Sequence, residues 1–263
     1  MGDFMTIFAV LLIGHFLGDF YLQSESMARK KDADIKTIGR HGIIYTLALF
    51  AIASPLLFYY TAPPYRWLYM ASIPLSHFII DLAKLRLIGW EKLCKKNDKL
   101  VFFIDQTMHT LIILAVALIY ATQTLVAYSP YALWIQAFYT TLNIGVTAEK
   151  SLQLICLFLF LGKPASIIIQ NIIMIDDVRE AKDTIILQKE QKAGRLIGIF
   201  ERYLAVILVI VREYSALAFI VTAKSIARFN KISDDPEFAE RYLLGTLGSI
   251  LLAVAGAALY ISI

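Results

Sequence analysis

The chain has 263 residues, of which 59% are hydrophobic and 17% are charged. This balance excludes an ordinary soluble domain and predicts an integral membrane protein. At about 20 residues for each spanning helix, the chain has room for six or seven crossings and little else. The formal net charge of +4 concerns orientation and anionic lipid in such a protein, and we expect no nucleic-acid partner.

Seven apolar runs follow one another along the chain, and each is long enough to cross a bilayer as a helix. They cover approximately residues 4–22, 42–60, 67–88, 102–121, 151–174, 196–222 and 242–262. The fifth run is interrupted at Gly162, Lys163 and Pro164, so it is either one span or a shorter span followed by an interfacial helix. We therefore predict an all-α, polytopic transmembrane bundle of six to seven spanning helices.

A single integral membrane domain with two halves is the expected organisation. Residues 1–121 would form a four-helix half, and residues 122–263 a C-terminal helical half with an interfacial segment. Cys94 lies in a lysine-rich loop and Cys156 in an apolar run, and two cysteines so placed indicate neither a disulfide framework nor a cysteine-based zinc site.

Three of the four histidines have an aspartate four residues away, and the fourth histidine, His41, opens the second apolar run. The pairs are His15/Asp19, His77/Asp81 and Asp105/His109. Residues four apart project from the same face of a helix. Because an ionisable residue inside a bilayer is costly, such residues usually mark a functional site.

Basic residues predict the orientation of the helices. Lysine and arginine are concentrated in the loops 24–40 and 85–100 and scarce in the loop 61–66. The positive-inside rule places the two basic loops in the cytoplasm and the N-terminus outside, in a cytoplasmic (inner) membrane. A strict count of seven helices would leave Lys224, Arg228 and Lys231 outside, which fits the rule less well. With this topology the histidines and their aspartates all lie at one depth near the cytoplasmic face.

Imidazole and carboxylate groups without thiolates are typical ligands of zinc, manganese, iron or nickel. We expect one or two such divalent ions in the four-helix half, since aspartates can bridge two metals. The candidate ligands are His15, Asp19, His41, His77, Asp81, Asp105 and His109. The three aspartates are also the candidate catalytic residues, and Gln23 and Gln106 are candidates for orienting the ligands through hydrogen bonds. A metal-free proton relay and simple ion pairing between helices are the alternatives.

The same residues resemble a known family. The strings His15–Gln23 (HFLGDFYLQ), 77–84 (HFIIDLAK) and 105–109 (DQTMH), with His41, are similar to an uncharacterised family of bacterial multi-pass membrane proteins, domain of unknown function family 3307. The stretch from Gly194 to Ser249 is similar to it as well. This resemblance implies no established activity. A looser likeness, of the His-x-x-x-Asp pairs alone, is to inner-membrane metal-dependent hydrolases.

The C-terminal third carries its own polar and small residues. Glu201 with Arg212, and Arg202 with Glu213, are eleven residues apart, which predicts two ion pairs on shared helix faces. A repeat of small residues every four positions in the last run predicts close helix packing, and it could also support a homo-oligomer. These residues are Gly245, Ser249, Ala253 and Ala257. A second polar pocket, or a lid over the metal site, is the alternative interpretation.

Our leading functional hypothesis is a membrane-embedded metal-dependent hydrolase that acts on a phosphate ester of a lipid or another amphiphile. Lys84 and Arg40 would bind the phosphate group, because they flank Asp81 and His41 at the predicted cytoplasmic end. The alternatives are a divalent-metal or proton-coupled transporter and a non-catalytic membrane protein with a structural metal. The lipid bilayer and an amphiphilic or phosphate-bearing small molecule are the expected partners.

Overall fold

The structure is a computed structural model that describes residues 2–31, 34–60, 65–88, 98–123, 140, 147–173 and 185–262. These residues form helices, and no strand occurs among them. The helices are α1 (Gly2–Phe16), α2 (Glu25–Lys31), α3 (Ile35–Tyr60), α4 (Tyr65–Ile88), α5 (Asp98–Gln123), α6 (Ala148–Leu161), α7 (Lys163–Ile173), α8 (Ile185–Ile210), α9 (Tyr214–Ala227), α10 (Phe229–Asp234) and α11 (Pro236–Ser262). A π-helical turn, Leu17–Tyr21, follows α1.

Six segments of the described chain are long and apolar enough to cross a membrane. They are Phe4–Tyr21, Ile35–Ser54, Trp67–Leu85, Lys99–Thr122, Glu149–Ile173 and Pro236–Ser262. The predicted all-α polytopic bundle is therefore confirmed. The run 196–222 is not among the six because α8 ends at Ile210 and α9 begins at Tyr214, with Arg212 between them at a φ of 63°.

Two helices begin earlier than the apolar runs suggest. α3 starts at Ile35 instead of residue 42, since Asp34 accepts hydrogen bonds from the backbone N–H groups of Lys36 and Thr37 at 3.1 and 3.2 Å. The Thr37 hydroxyl also donates to Asp34 at 2.7 Å, and it is the main reason that the pKa of this carboxyl is lowered. The expectation that His41 begins its helix is thus wrong. His41 lies in the second turn, where the backbone is fixed on both sides.

The chain divides into two compact units, residues 1–156 and 157–263. The predicted boundary at residues 121 and 122 lies beside residues 124–139, which are outside the described part of the chain, so the predicted halves stay a prediction. In the first unit, α1 packs against α3 and α5, and α4 closes the ring by packing against α3 and α5. An apolar core fills one half of this ring. Its buried members are Ile7, Val10, Leu11, Tyr45, Leu49, Ala53, Ile73, Ile113, Ala117 and Tyr120.

Two glycines let the first helical segment approach α3 closely. A Cβ atom at Gly14 would lie 2.7 Å from Cδ1 of Leu49 and 3.2 Å from its Cα. A Cβ atom at Gly18 would lie 2.8 Å from the ring of Tyr45 and 3.1 Å from its Cα. Glycines four residues apart are a known contact motif of membrane helices. Gly18 lies in the π-helical turn, so this contact also fixes the position of Asp19.

In the second unit, α8 packs against α7, α9 and α11. The predicted small-residue face of the last helix is buried here, with Ser249, Ala253 and Ala257 at most 6% exposed. The unit's apolar core includes Ala253 and Ala257, together with Ala205 and Val206 of α8. This face therefore packs within the second unit, and a homo-oligomer through α11 stays a prediction.

Arg202 of α8 stabilises the break between α6 and α7. Its Nε donates to the Leu161 carbonyl at 2.6 Å and its Nη2 to the Gly162 carbonyl at 3.3 Å, and the guanidinium also donates to the hydroxyls of Ser166 and Ser249. The predicted interruption of the fifth run is thus a chain break in the helix, with its free carbonyl groups satisfied by a buried cation.

The predicted ion pairs of Arg202 with Glu213 and of Glu201 with Arg212 rest on a continuous helix, and that expectation is wrong. The helix ends at Ile210, so residues 212 and 213 do not continue the face that carries residues 201 and 202. Glu201 pairs instead with Lys224 of α9.

The close contact of Gly18 with Tyr45 leads to a testable prediction. Gly18→Ala should lower the free energy of unfolding by about 1–3 kcal/mol, because the new methyl group overlaps both the ring and the backbone of Tyr45. Thermal unfolding in detergent, followed by circular dichroism, measures this loss. Gly39→Ala in α3 is the control, since nothing lies within 4 Å of its added Cβ, and a melting temperature equal to or above wild type is expected. Equal effects at both positions would contradict the contact.

Candidate metal centre

The seven candidate ligands of the first unit come together in the half of the helical ring not filled by the apolar core. All seven are buried, with at most 7% of each residue exposed. They are His15 and Asp19 from the first segment, His41 from α3, His77 and Asp81 from α4, and Asp105 and His109 from α5. Every helix of the ring thus contributes at least one ionisable side chain to a common interior site.

Asp19 and Asp81 lie on either side of two histidines. His41 Nε2 is 3.1 Å from Asp19 Oδ1 and 3.8 Å from Asp81 Oδ2. The two nitrogens of His77 face different carboxylates: Nε2 is 3.6 Å from Asp19 Oδ1, and Nδ1 is 3.4 Å from Asp81 Oδ2. His77 is therefore the central imidazole of the cluster.

Asp105 and His109 complete the cluster from α5. Asp105 Oδ1 is 3.5 Å from His109 Nε2, across one helical turn. The His109 ring stacks on His77 with centroids 4.1 Å apart and an interplanar angle of 11°. The stacking holds the α4 and α5 ligands at the same height in the bundle.

Gln106 connects three of these residues. Its Nε2 donates to Asp19 Oδ2 at 2.9 Å and to Asp105 Oδ2 at 3.1 Å. Its Oε1 lies 3.4 Å from His15 Nε2. One amide therefore orients two carboxylates and one imidazole, which is the arrangement expected of a residue that supports metal ligands. Gln23, the other candidate for this role, lies in a bend after the helix has ended at Tyr21, so it does not continue the face of His15 and Asp19.

Tyr45 is a site residue that the sequence reasoning missed. Its ring stacks on His77 with centroids 3.7 Å apart, and its hydroxyl is hydrogen-bonded to His15 Nδ1 at 3.2 Å. The signal was present in the sequence, because Tyr45 lies four residues after His41 and so shares its helix face. With Gln106 at Nε2, both ring nitrogens of His15 are engaged, and a metal bound there would replace one of these two contacts.

The π-helical turn sets the position of Asp19. Its wider hydrogen bond, from Leu22 N–H to the Leu17 carbonyl at 2.8 Å, shifts the register after Phe16. His15 and Asp19 are thus not an ordinary i,i+4 pair of an α-helix, in contrast to His77 with Asp81. Single π-turns inside helices often occur at functional sites.

The arrangement fits a metal ion on geometric grounds. Two ligand atoms that bind one ion at about 2.1 Å lie roughly 3.0–3.4 Å apart, and most of the nitrogen–oxygen distances above are in or close to this range. Three groups have ligand atoms that all lie within 4.8 Å of one another: His15 with Asp19 and His77, His41 with His77 and Asp81, and Asp81 with Asp105 and His109. These residues could therefore hold a metal.

Several buried atoms of the cluster make no hydrogen bond to any residue in the described ranges. They are Nδ1 and Nε2 of His41, Oδ1 of Asp105 and Nε2 of His109. Buried polar atoms are almost always satisfied, and those that are not require a bound group to explain them. A cation among these nitrogens and oxygens would satisfy several of them together.

The two candidate phosphate-binding residues lie at the edge of the cluster. Lys84 is half-buried, one turn beyond Asp81, and close enough to attract the carboxylate of Asp105. Arg40 is exposed on α3 beside His41. The structure thus places both cations near the ligands but outside the buried interior.

The second unit has a smaller polar pocket of about 20 Å³, lined in part by Glu201, Arg202, Lys224, Thr246 and Ser249. This volume accommodates roughly one water molecule. The Glu201–Lys224 ion pair and the hydrogen bond of Arg202 to Ser249 already occupy its polar wall. It therefore offers little space for a substrate.

Comparison with known proteins identifies one family. No curated protein and no solved structure matches the chain. Residues 7–137 match the profile of a family described as "Protein of unknown function (DUF3307)". The match includes all seven candidate ligands and ends before the stretch 194–249, whose likeness to the family stays a prediction. Through its N-terminal half, residues 7–137, this chain belongs to the DUF3307 family.

Proposed function

We propose that the protein is a membrane-embedded metal-dependent hydrolase acting on a phosphate ester of a lipid or another amphiphile. The observation that carries this proposal is the burial of four imidazoles and three carboxylates around a common interior in segments that can cross a membrane. The metal would be one or two divalent transition ions such as zinc, manganese, iron or nickel.

The charge of the cluster favours a cation. Three buried carboxylates in a low-dielectric interior need compensating positive charge, and a single half-buried lysine at the edge supplies too little. Protonated histidines could supply the charge instead, and the metal-free alternatives make that assumption. However, the convergence of nitrogen and oxygen atoms from four helices favours a multidentate ion over separate ion pairs.

The closed interior beyond the cluster favours an enzyme over a transporter. On the side of α1 that precedes His15, and on the side of α5 that follows His109, the ring is filled by apolar residues including Leu11, Ala117 and Tyr120. A transporter needs polar groups along a path to the other face of the membrane. A site that is polar at one end and closed by an apolar core at the other suits a reaction at one membrane surface.

The protein groups would divide the chemistry among them. A divalent ion with an open position supplies a water nucleophile at neutral pH and polarises a phosphoryl oxygen. Asp81, Asp19 and Asp105 would hold the ion or ions and orient the attacking water. Lys84 and Arg40 would bind the phosphate oxygens of the substrate. Gln106 and Tyr45 would keep the ligands in position through their hydrogen bonds.

Metal content is the first test. After gentle purification we expect about one or two transition-metal ions per chain, measured by plasma mass spectrometry. His41→Ala/His109→Ala should remove most of the metal, because these rings carry buried nitrogens without a protein hydrogen bond. Thr122→Ala, whose hydroxyl bonds only its own helix at Ile119, is the control. A chelator should lower the melting temperature of the wild type and not that of the double variant. Full metal content in the double variant would contradict the site.

Asp81→Asn tests catalysis separately from folding. The amide keeps the shape of the side chain but lowers the ligand charge, so we expect normal accumulation, weaker metal binding and at least about a hundredfold loss of phosphate release. The assay measures inorganic phosphate from phosphatidic acid and polyprenyl phosphate in mixed micelles. Asp34→Asn is the matched control, since this exposed helix cap lies outside the cluster. If Asp81→Asn retains its metal and full activity, Asp81 is not catalytic.

Orientation is the third test of the proposal. We infer a cytoplasmic (inner) membrane with the N-terminus outside, which brings the metal centre near the cytoplasmic face. In a chain with Cys94 and Cys156 replaced by serine, cysteines at Ser26 and Asn97 should resist an impermeant maleimide in intact cells, whereas one at Ala62 should react. Positions 62 and 97 lie outside the described residues. Permeabilised cells, in which all three should react, are the control, and the opposite pattern would move the site to the outer face.

A further inference from the structure

A groove runs between α3 and α4 on the outer side of the four-helix ring. Its volume of about 530 Å³ is within the range of small-molecule binding sites. Its lining includes Gly39, Gly42, Leu47, Ala71, Leu75 and Phe78. These residues belong to the segments Ile35–Ser54 and Trp67–Leu85, which are apolar enough to cross a membrane. The medium that fills this groove is therefore the hydrocarbon of the bilayer.

The groove and the metal-binding cluster lie on opposite sides of the same helical turns. Gly42 directly follows His41, and Phe78 directly follows His77. A Cβ atom at Gly42 would lie 3.5 Å from Cδ2 of Phe78, so the helix and the ring meet at this level. The wall between the groove and the two imidazoles is thus one glycine backbone and one aromatic ring.

The chemistry of the lining selects an apolar occupant with a charged end. The Thr46 hydroxyl donates to the Gly42 carbonyl at 2.7 Å, so the one polar side chain in the lining is satisfied by its own helix. From Gly39 to Leu47 the groove follows α3 for about 12 Å. Arg40 is exposed at the Gly39 end, where its guanidinium can bind a phosphate through two parallel hydrogen bonds.

We propose that this groove binds one hydrocarbon chain of a phosphate-bearing membrane amphiphile, with the phosphate on Arg40 and level with the cluster. The inference rests on the proposed function, since it specifies how the substrate of that site is held. The chain lies between α3 and α4, and the head group reaches the cluster from the polar end of the bundle. Chain length and head group are thus recognised by different parts of the protein.

Photolabelling tests the groove directly. Purified protein is placed in phosphatidylcholine vesicles with a trace of phosphatidic acid that carries a diazirine in the middle of one acyl chain. After irradiation, mass spectrometry should locate the adducts mainly on groove residues. Ala71→Trp fills the groove and should reduce these adducts about fivefold or more. Ala115→Trp, the same change at an exposed position of α5, should leave them unchanged.

The head group is tested with a diacylglycerol that carries the same diazirine chain. It should label the groove less than phosphatidic acid does, and Arg40→Gln should abolish the difference. Adducts spread evenly over α3, α4 and α5 would overturn the proposal, and so would equal labelling by the two lipids in the wild type.

Labelling requires neither a metal nor turnover, so the two proposals fail separately. A chain that is labelled in the groove but binds no metal retains this inference and contradicts the hydrolase. A chain that binds metal and releases phosphate but is labelled evenly does the reverse.

Discussion

The burial of seven ionisable side chains inside an apolar ring is the constraint on which the first unit depends. In a medium of low dielectric constant, carboxylates and imidazoles are stable only when each is close to a partner of suitable charge or hydrogen-bonding type. The cluster meets this condition through mutual contacts of 3.1 to 3.8 Å and through Gln106. Because every helix of the ring contributes a ligand, the polar site also fixes how the four helices are arranged.

The backbone supports this site at the points where it departs from a regular α-helix. The π-helical turn rotates Asp19 toward the interior, and Gly18 allows that turn to lie against Tyr45. Tyr45 in turn stacks on His77 and is hydrogen-bonded to His15. A glycine, an aromatic ring and two candidate ligands therefore form one connected arrangement, in which a change at any member is transmitted to the others.

The sequence predicted the helical membrane fold and the set of residues that meet in the first unit, because apolar length and i,i+4 spacing are local properties. It did not predict the early start of α3, which depends on capping by Asp34, or the role of Tyr45, which depends on contact with a different helix. It also failed at residues 210–214, where hydropathy continues but the helix ends. Pairings such as Glu201 with Lys224 need the tertiary arrangement, and no spacing rule provides it.

The buried contacts of Arg202 have a consequence for biosynthesis. The carbonyl groups of Leu161 and Gly162 are satisfied by a side chain about forty residues later in the chain. While α6 and α7 leave the ribosome, α8 does not yet exist, and unsatisfied carbonyls cost several kcal/mol each in lipid. The α6–α7 break must therefore stay in contact with water or with the insertion machinery until α8 arrives. Insertion of the second unit is thus a concerted event of these three helices and not a sequence of independent ones.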